Sequence, residues 1–179
     1  MNTAPLIAKN KVFKLTGFQV GQVLIRDGWN RNAFEGISNR WFTADRDYVL
    51  PSDTFVQRKF WLWWARNLAH RLGIAFKEIY KLHVSDCDNF AEDFHSNIQL
   101  TSRVGGFVSA VASWWFWYPS KVGKHAIDGY CTVRDSKQIS VKEFNDNWLD
   151  ITIARYIEPQ NGKLLCLKQS EKRLDLGVL

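Results

Sequence analysis

Cys87, His125 and Glu158 are three side-chain types that together can perform thiol chemistry, and each stands where a structural element would hold it in place. Cys87 lies in Ser85-Asp86-Cys87-Asp88-Asn89-Phe90-Ala91, where Ser85 or Asp86 can cap a helix whose apolar face is Phe90, Ala91, Phe94 and Ile98. A sulfur in the opening turn of a helix meets unpaired backbone N–H groups and the positive end of the helix dipole. Both favour a thiolate, and the same N–H groups can receive the oxyanion formed when sulfur attacks an acyl carbon. The flanking Asp86 and Asp88 oppose that ionisation. His125 follows a turn at Gly123 and opens a strand-like run, and an imidazole at a strand mouth can take the thiol proton. Glu158, in Tyr156-Ile157-Glu158-Pro159-Gln160, closes another such run and can orient the imidazole; Gln160 can fill the same role, since an amide suffices.

Each residue also has a plainer reading: a structural cysteine, a satisfied histidine, a polar hairpin turn. A rival constellation of His83, Cys87 and His95, spaced for one helix face, suits zinc, but the cap at Ser85-Asp86 interrupts that helix and no fourth ligand is evident, so no metal is expected. Gln22 and Gln57 are candidates for an oxyanion-hole side chain by residue type alone. Cys131 and Cys166 fall in strand-like runs and read as core. No phosphate-binding glycine loop, paired-carboxylate motif or serine elbow is present, and no cofactor is expected.

The elements that must position these residues follow from periodicity. Residues 1–50 are irregular, punctuated by Gly17, Gly21, Gly28 and Gly36, with Val23-Leu24-Ile25 as a short strand candidate. The spacing of Phe55, Val56, Phe60, Trp63, Trp64, Leu68 and Leu72 predicts a helix over 53–72, ended by Gly73. Its Trp-rich cluster is apolar on more than one face and reads as core rather than as a sugar or membrane surface. The Cys87 helix completes a helical part over 51–100. Residues 107–118 and 124–134 read as strands joined through 119–124, and 151–158 and 163–168 as a pair joined by Pro159-Gln160-Asn161-Gly162, whose Asn-Gly is a strong hairpin signal. An antiparallel sheet over 107–168 and a tail over 169–179 complete an α+β layout.

Bulk properties narrow the function. The 179 residues suit a single domain, and 46% hydrophobic content with nine Trp supplies a core, which excludes a disordered chain. The formal charge of +6 would attract polyanions, but the Lys and Arg residues are scattered without a basic block, so nucleic acid is not the expected partner. Three cysteines without paired spacing argue against a disulfide framework and for a reducing compartment. The N-terminus lacks the pattern of a signal peptide and no apolar run is long enough to span a bilayer, so a cytoplasmic location without a membrane partner is expected.

The Asp86–Ala91 stretch resembles the Asp-Cys-Asp-Asp-Phe-Ala motif of transglutaminase-like cysteine peptidases. Gly123-Lys124-His125-Ala126 resembles their Gly-His-Ala with Lys124 inserted, and residues 156–162 resemble a Glu-Pro-Gln-x-Gly segment of small bacteriophage proteins of this kind. The resemblance covers about 86–162, with residues 1–80 outside it, and each motif is short. It implies a papain-like or transglutaminase-like α+β fold with N-terminal helices packed on an antiparallel sheet. Cys87 would be the nucleophile, His125 the base and acid, and Glu158 or Gln160 the orienting residue. The implied activity is a cysteine hydrolase or transferase working on an amide or isopeptide bond through a thioester. Its substrate would be a protein or peptide, a peptidoglycan peptide among them, met in the host cytoplasm or as part of a virion. The alternative is a catalytically inactive scaffold of this kind acting as a protein- or glycan-binding module. Two departures stand out: Asn89 replaces the second acid, and the 33-position separation of His125 and Glu158 exceeds the family's spacing unless residues 135–150 form an insert.

Overall fold

The computed structural model describes residues 4–5, 7, 12–29, 46–81, 87–104, 109–120 and 123–168. Two sheets organise them. The first joins β1 (Phe13–Thr16), β2 (Asp47–Leu50) and β3 (Ala110–Val111), with β1 and β2 antiparallel and β2 and β3 parallel. The second runs in the order β4 (Ser113–Ser120), β5 (Gly123–Val133), β6 (Thr152–Glu158), β7 (Lys163–Leu165), antiparallel throughout. Ala112 stitches them together: its N–H donates to the Val49 carbonyl at 2.9 Å, and its own carbonyl accepts from Cys131 N at 2.8 Å.

This layout corrects the single antiparallel sheet expected over 107–168. Residues 110–111 turn away to pair in parallel with β2, and residues 141–151 are helical. That helix, α4 (Val141–Ile151), opens with a reciprocal cap in which Ser140 Oγ accepts from Glu143 N while Glu143 reaches back to Ser140 N. It buries Phe144 and occupies the chain between β5 and β6, which is why His125 and Glu158 stand so far apart in sequence.

The strand expected at Val23-Leu24-Ile25 is also corrected. It lies inside α1 (Gly17–Arg26), started by a second reciprocal cap between Thr16 and Gln19. Val20, Val23 and Leu24 fall at helical spacing and are all buried, so a helix hides them together where a strand would split them between two faces.

The helix expected over 53–72 is present with one irregularity. A π-helical turn at Phe55–Phe60 precedes α2 (Trp61–Leu72), and the wider turn lets the consecutive Phe60 and Trp61 both point inward. Gly73 ends the helix in the left-handed region at φ 65°, and a short 3-10 helix, Phe76–Lys81, follows. The Trp-rich cluster is core: Trp61 Nε1 donates to the Pro159 carbonyl at 2.8 Å and Trp64 Nε1 to Asp93 Oδ2 at 2.7 Å. Helix α3 (Cys87–Val104) buries Phe90, Ala91, Phe94 and Ile98, the face read from its spacing.

Two apolar cores flank the second sheet. On one side Trp114, Phe116, Ile127, Cys131 and Tyr156 pack with residues of α1, α4 and the first sheet. On the other, Tyr130 and Ile157 pack with Phe60, Trp64, Phe90, Phe94 and Ile98. The alternation along β5 makes this division, successive residues pointing to opposite cores. Helix α3 is thereby clamped against the open end of β5, and its first residue is Cys87.

Candidate functional site

Clamping α3 against β5 brings Cys87 to the start of that strand. The Ala126 N–H donates to Cys87 Sγ at 3.3 Å, so the sulfur meets the peptide that joins His125 to Ala126. Pairing of β5 with β6 starts at Asp128 and Ile157, and the strand ahead of it is open for the thiol because the chain of β6 leaves into the turn at Pro159. Cys87 is partly buried, not sealed.

His125 Nε2 and Glu158 Oε2 are hydrogen-bonded, with the imidazole side chain 21% exposed and the carboxylate 10% exposed, which is sheltered enough to fix geometry and open enough for a ligand to reach. The hairpin turn holds Glu158 in place. Its carbonyl accepts from Gly162 N at 2.7 Å and Asn161 N at 3.2 Å, and its Oε1 accepts from Gln160 N at 3.3 Å. Glu158 is therefore the carboxylate on His125, and Gln160 supports it through its backbone N–H. Only Gly162 of the Asn-Gly pair adopts positive φ, at 69°, so the turn is a four-residue loop rather than the two-residue form that Asn-Gly suggests. The carboxylate takes up Nε2 and so fixes the orientation of the ring. Cys87, His125 and Glu158 thus share one end of the second sheet.

The remaining candidates separate from that cluster. His95 is buried, its Nδ1 is 3.3 Å from Ser113 Oγ, and burial pushes its pKa down to about 4, so it is a neutral core histidine. His83 lies outside the described residues, and among the described residues no group of three or more His, Cys, Asp or Glu is arranged to hold a metal. Gln57 is engaged with the Tyr130 hydroxyl, and Gln22 lies on α1, which packs against β1 and β6. Cys131 is fully buried, and desolvation pushes its thiol up; Cys166 is exposed, which corrects its reading as core.

Two features escaped the sequence reading. Tyr130, Asp53 and Arg155 form a chain at the far end of β5, with Tyr130 Oη donating to Asp53 Oδ1 at 3.0 Å and Arg155 Nε 3.3 Å from Asp53 Oδ2. Asp128 is fully buried with neither carboxyl oxygen hydrogen-bonded. In the sequence it shows only as a single acid in the apolar run Ala126-Ile127-Asp128-Gly129-Tyr130.

No family model matches the sequence, and no curated protein matches it. Solved structures do. A structure of Polyporus squamosus lectin bound to the human-type influenza-binding epitope Neu5Aca2-6Galb1-4GlcNAc matches with a TM-score of 0.53 at 13% identity, over 93% of this chain and 49% of the lectin chain. The fold is shared with a lectin structure. A second match, described as a PSL1a-E64 complex, has a TM-score of 0.48 at 14% identity over 93% of this chain and 51% of that one. The chain spans about half the length of the solved chains it matches.

The match to the lectin structure overturns the papain-like or transglutaminase-like architecture expected from the motifs, and with it the description as a cysteine-peptidase-like hydrolase of bacteriophage type. The physical reason lies in what the motifs encode. Asp-Cys-Asp at a helix start and Glu-Pro-Gln-Asn-Gly at a hairpin report a cap and a turn, and such local geometry can be hosted by more than one architecture. Among the described residues no helix is long and apolar enough to cross a membrane.

Proposed function

We propose that this chain is a recognition module for a glycan or protein ligand, with its contact surface at the open end of the second sheet. The observation that carries the reading is a pair of partly exposed indoles, Trp115 and Trp117, on β4, the edge strand beside β5. Their ring centroids are 6.5 Å apart, and Trp117 is in register with Ala126, the residue whose N–H meets Cys87. Directly opposed residues of an antiparallel pair share a face, so the indoles lie on the Ala126 side of the sheet, the side that α3 and its Cys87 approach. Aromatic rings held on a strand offer a flat apolar surface to a sugar ring or an apolar side chain at little entropic cost, and the Cys87 thiol is a polar group on the same side, with His125 and Glu158 at the same end of the sheet. The fold shared with a lectin that binds Neu5Aca2-6Galb1-4GlcNAc supports the same reading.

The test is titration calorimetry of the full chain against glycans and candidate protein ligands, repeated with Trp117→Ala. Saturable binding that weakens at least tenfold in W117A supports the proposal. Binding unchanged by W117A, or none at millimolar glycan or with any protein ligand, overturns it.

One specific observation favours a second reading. A thiol at a helix start, one peptide from an imidazole that is itself held by a carboxylate, is the equipment of acyl transfer through a thioester. In that reaction Cys87 sulfur would bond to the acyl carbon and the leaving group would depart with the proton taken up by His125. Mass spectrometry of the chain after exposure to activated acyl donors distinguishes the readings: an adduct on Cys87 lost in His125→Ala supports transfer, and its absence leaves binding as the function.

A further inference from the structure

Behind the cluster lies a group that neither reading uses. Asp128 sits in the middle of the second sheet, 1% exposed, opposite Trp115 on β4 and Ile157 on β6. Neither of its carboxyl oxygens has a hydrogen-bond partner. An ionised carboxylate in that position would lack both water and donors, at a cost far above that of holding a proton. The ionisable groups around it sharpen the point. From β6 comes Glu158, which repels a second negative charge. Helix α3 brings Cys87 and the neutral His95; β5 itself carries His125, already engaged by Glu158, and Tyr130, engaged by Asp53; β6 also carries Arg155, paired with Asp53. β4 offers only the uncharged Trp115.

We infer that Asp128 is a proton-holding positioning residue: kept un-ionised, it leaves Glu158 as the one negative charge beside His125. Once ionised, it adds a second negative charge near Glu158, in a position that water cannot reach. The fold thereby carries a pH-sensitive element on the strand that holds His125, and it does so whichever functional reading holds. Desolvation first, and Glu158 second, raise the Asp128 pKa well above its ordinary 3.8. The sign follows. The folded chain keeps a proton that the unfolded chain gives up, so the stabilisation is complete below about pH 3.8 and is lost as pH rises from there through the raised value.

The experiment compares the full wild-type chain with Asp128→Asn, which keeps the shape of the neutral acid. Unfolding equilibria in denaturant are measured across pH 4 to about 9, since His95 titrates in the acidic half of that range in both proteins and cancels in the comparison. The folding constant of D128N is expected to gain on wild type by about tenfold per pH unit until Asp128 ionises in the folded chain. Cys87 alkylation at neutral pH is expected to agree within about twofold between the two proteins, whereas Asp128→Ala, which removes the group, slows or scatters it. A ratio of folding constants that does not change with pH overturns the inference. Should D128N fail to fold, infrared spectroscopy of the wild type decides: an un-ionised carboxylic-acid band at neutral pH supports it, and the absence of that band sinks it.

Discussion

At the residue scale the structure turns on what holds His125. Its imidazole is tied at Nε2 to Glu158, and Glu158 is tied by the turn that follows it, so the ring has little freedom to rotate. Glu158→Gln removes the charge and keeps the shape. It is expected to slow iodoacetamide labelling of Cys87 by about tenfold with little change in stability, because the pair is partly exposed and such pairs contribute about 1 kcal/mol or less. His95 gives a separate pH signature. Its pKa is held at about 4 against an ordinary 6.5, so its stabilisation is full above pH 6.5 and is lost as pH falls toward 4, by about 3 kcal/mol in all. Denaturant unfolding of the wild type and His95→Gln at pH 7 and pH 4.5 checks this, with the wild type expected to lose stability relative to H95Q as pH falls. The residue types at Cys87, His125 and Glu158 were legible in the sequence because each sits beside an element boundary. Asp128 was not, since a single acid in an apolar run gives no sign of whether it finds a donor.

Elements explain why some of the architecture was readable and some was not. The Cys87 helix and the strands that became β5 and β6 carry strong local periodicity, and they form where the spacing puts them. The first sheet has no such signal: a two-residue strand pairing in parallel with one some sixty residues earlier leaves no mark on local pattern. Helix α4 did leave one, the Ser140-x-x-Glu143 cap, which was absorbed into an insert of unknown form. Ser140→Ala is expected to cost about 1 kcal/mol, read from thermal or denaturant unfolding. Glycines fix the approach of two tryptophans. A Cβ on Gly129 would stand 2.4 Å from the Trp114 ring, and one on Gly162 would stand 2.6 Å from the Trp61 ring at a φ of 69° that side chains resist. Gly129→Ala is expected to destabilise the chain by about 1–3 kcal/mol through overpacking. In the sequence both glycines read only as strand and turn punctuation, because the ring that excludes a side chain comes from elsewhere in the chain.

The whole molecule is a second sheet packed on both faces, with the cluster at the end where α3 meets β5. That packing supplies the stability on which the site's geometry rests: Phe94, buried between Phe60 and Trp64 at ring-centroid distances of 5.0 and 5.2 Å, is expected to cost about 3–5 kcal/mol when truncated to Ala. Composition announced such a core but not its arrangement, and short motifs pointed to an architecture that the lectin likeness replaces. The site rests on one meeting: Cys87, His125 and Glu158 come together at one end of the second sheet. The most direct measurement is the rate of iodoacetamide labelling at each cysteine by mass spectrometry, in the wild type and in His125→Ala. Cys87, though less exposed than Cys166, is expected to react faster, and to lose at least tenfold in H125A. Faster labelling of Cys166, with Cys87 indifferent to loss of the imidazole, would contradict the account.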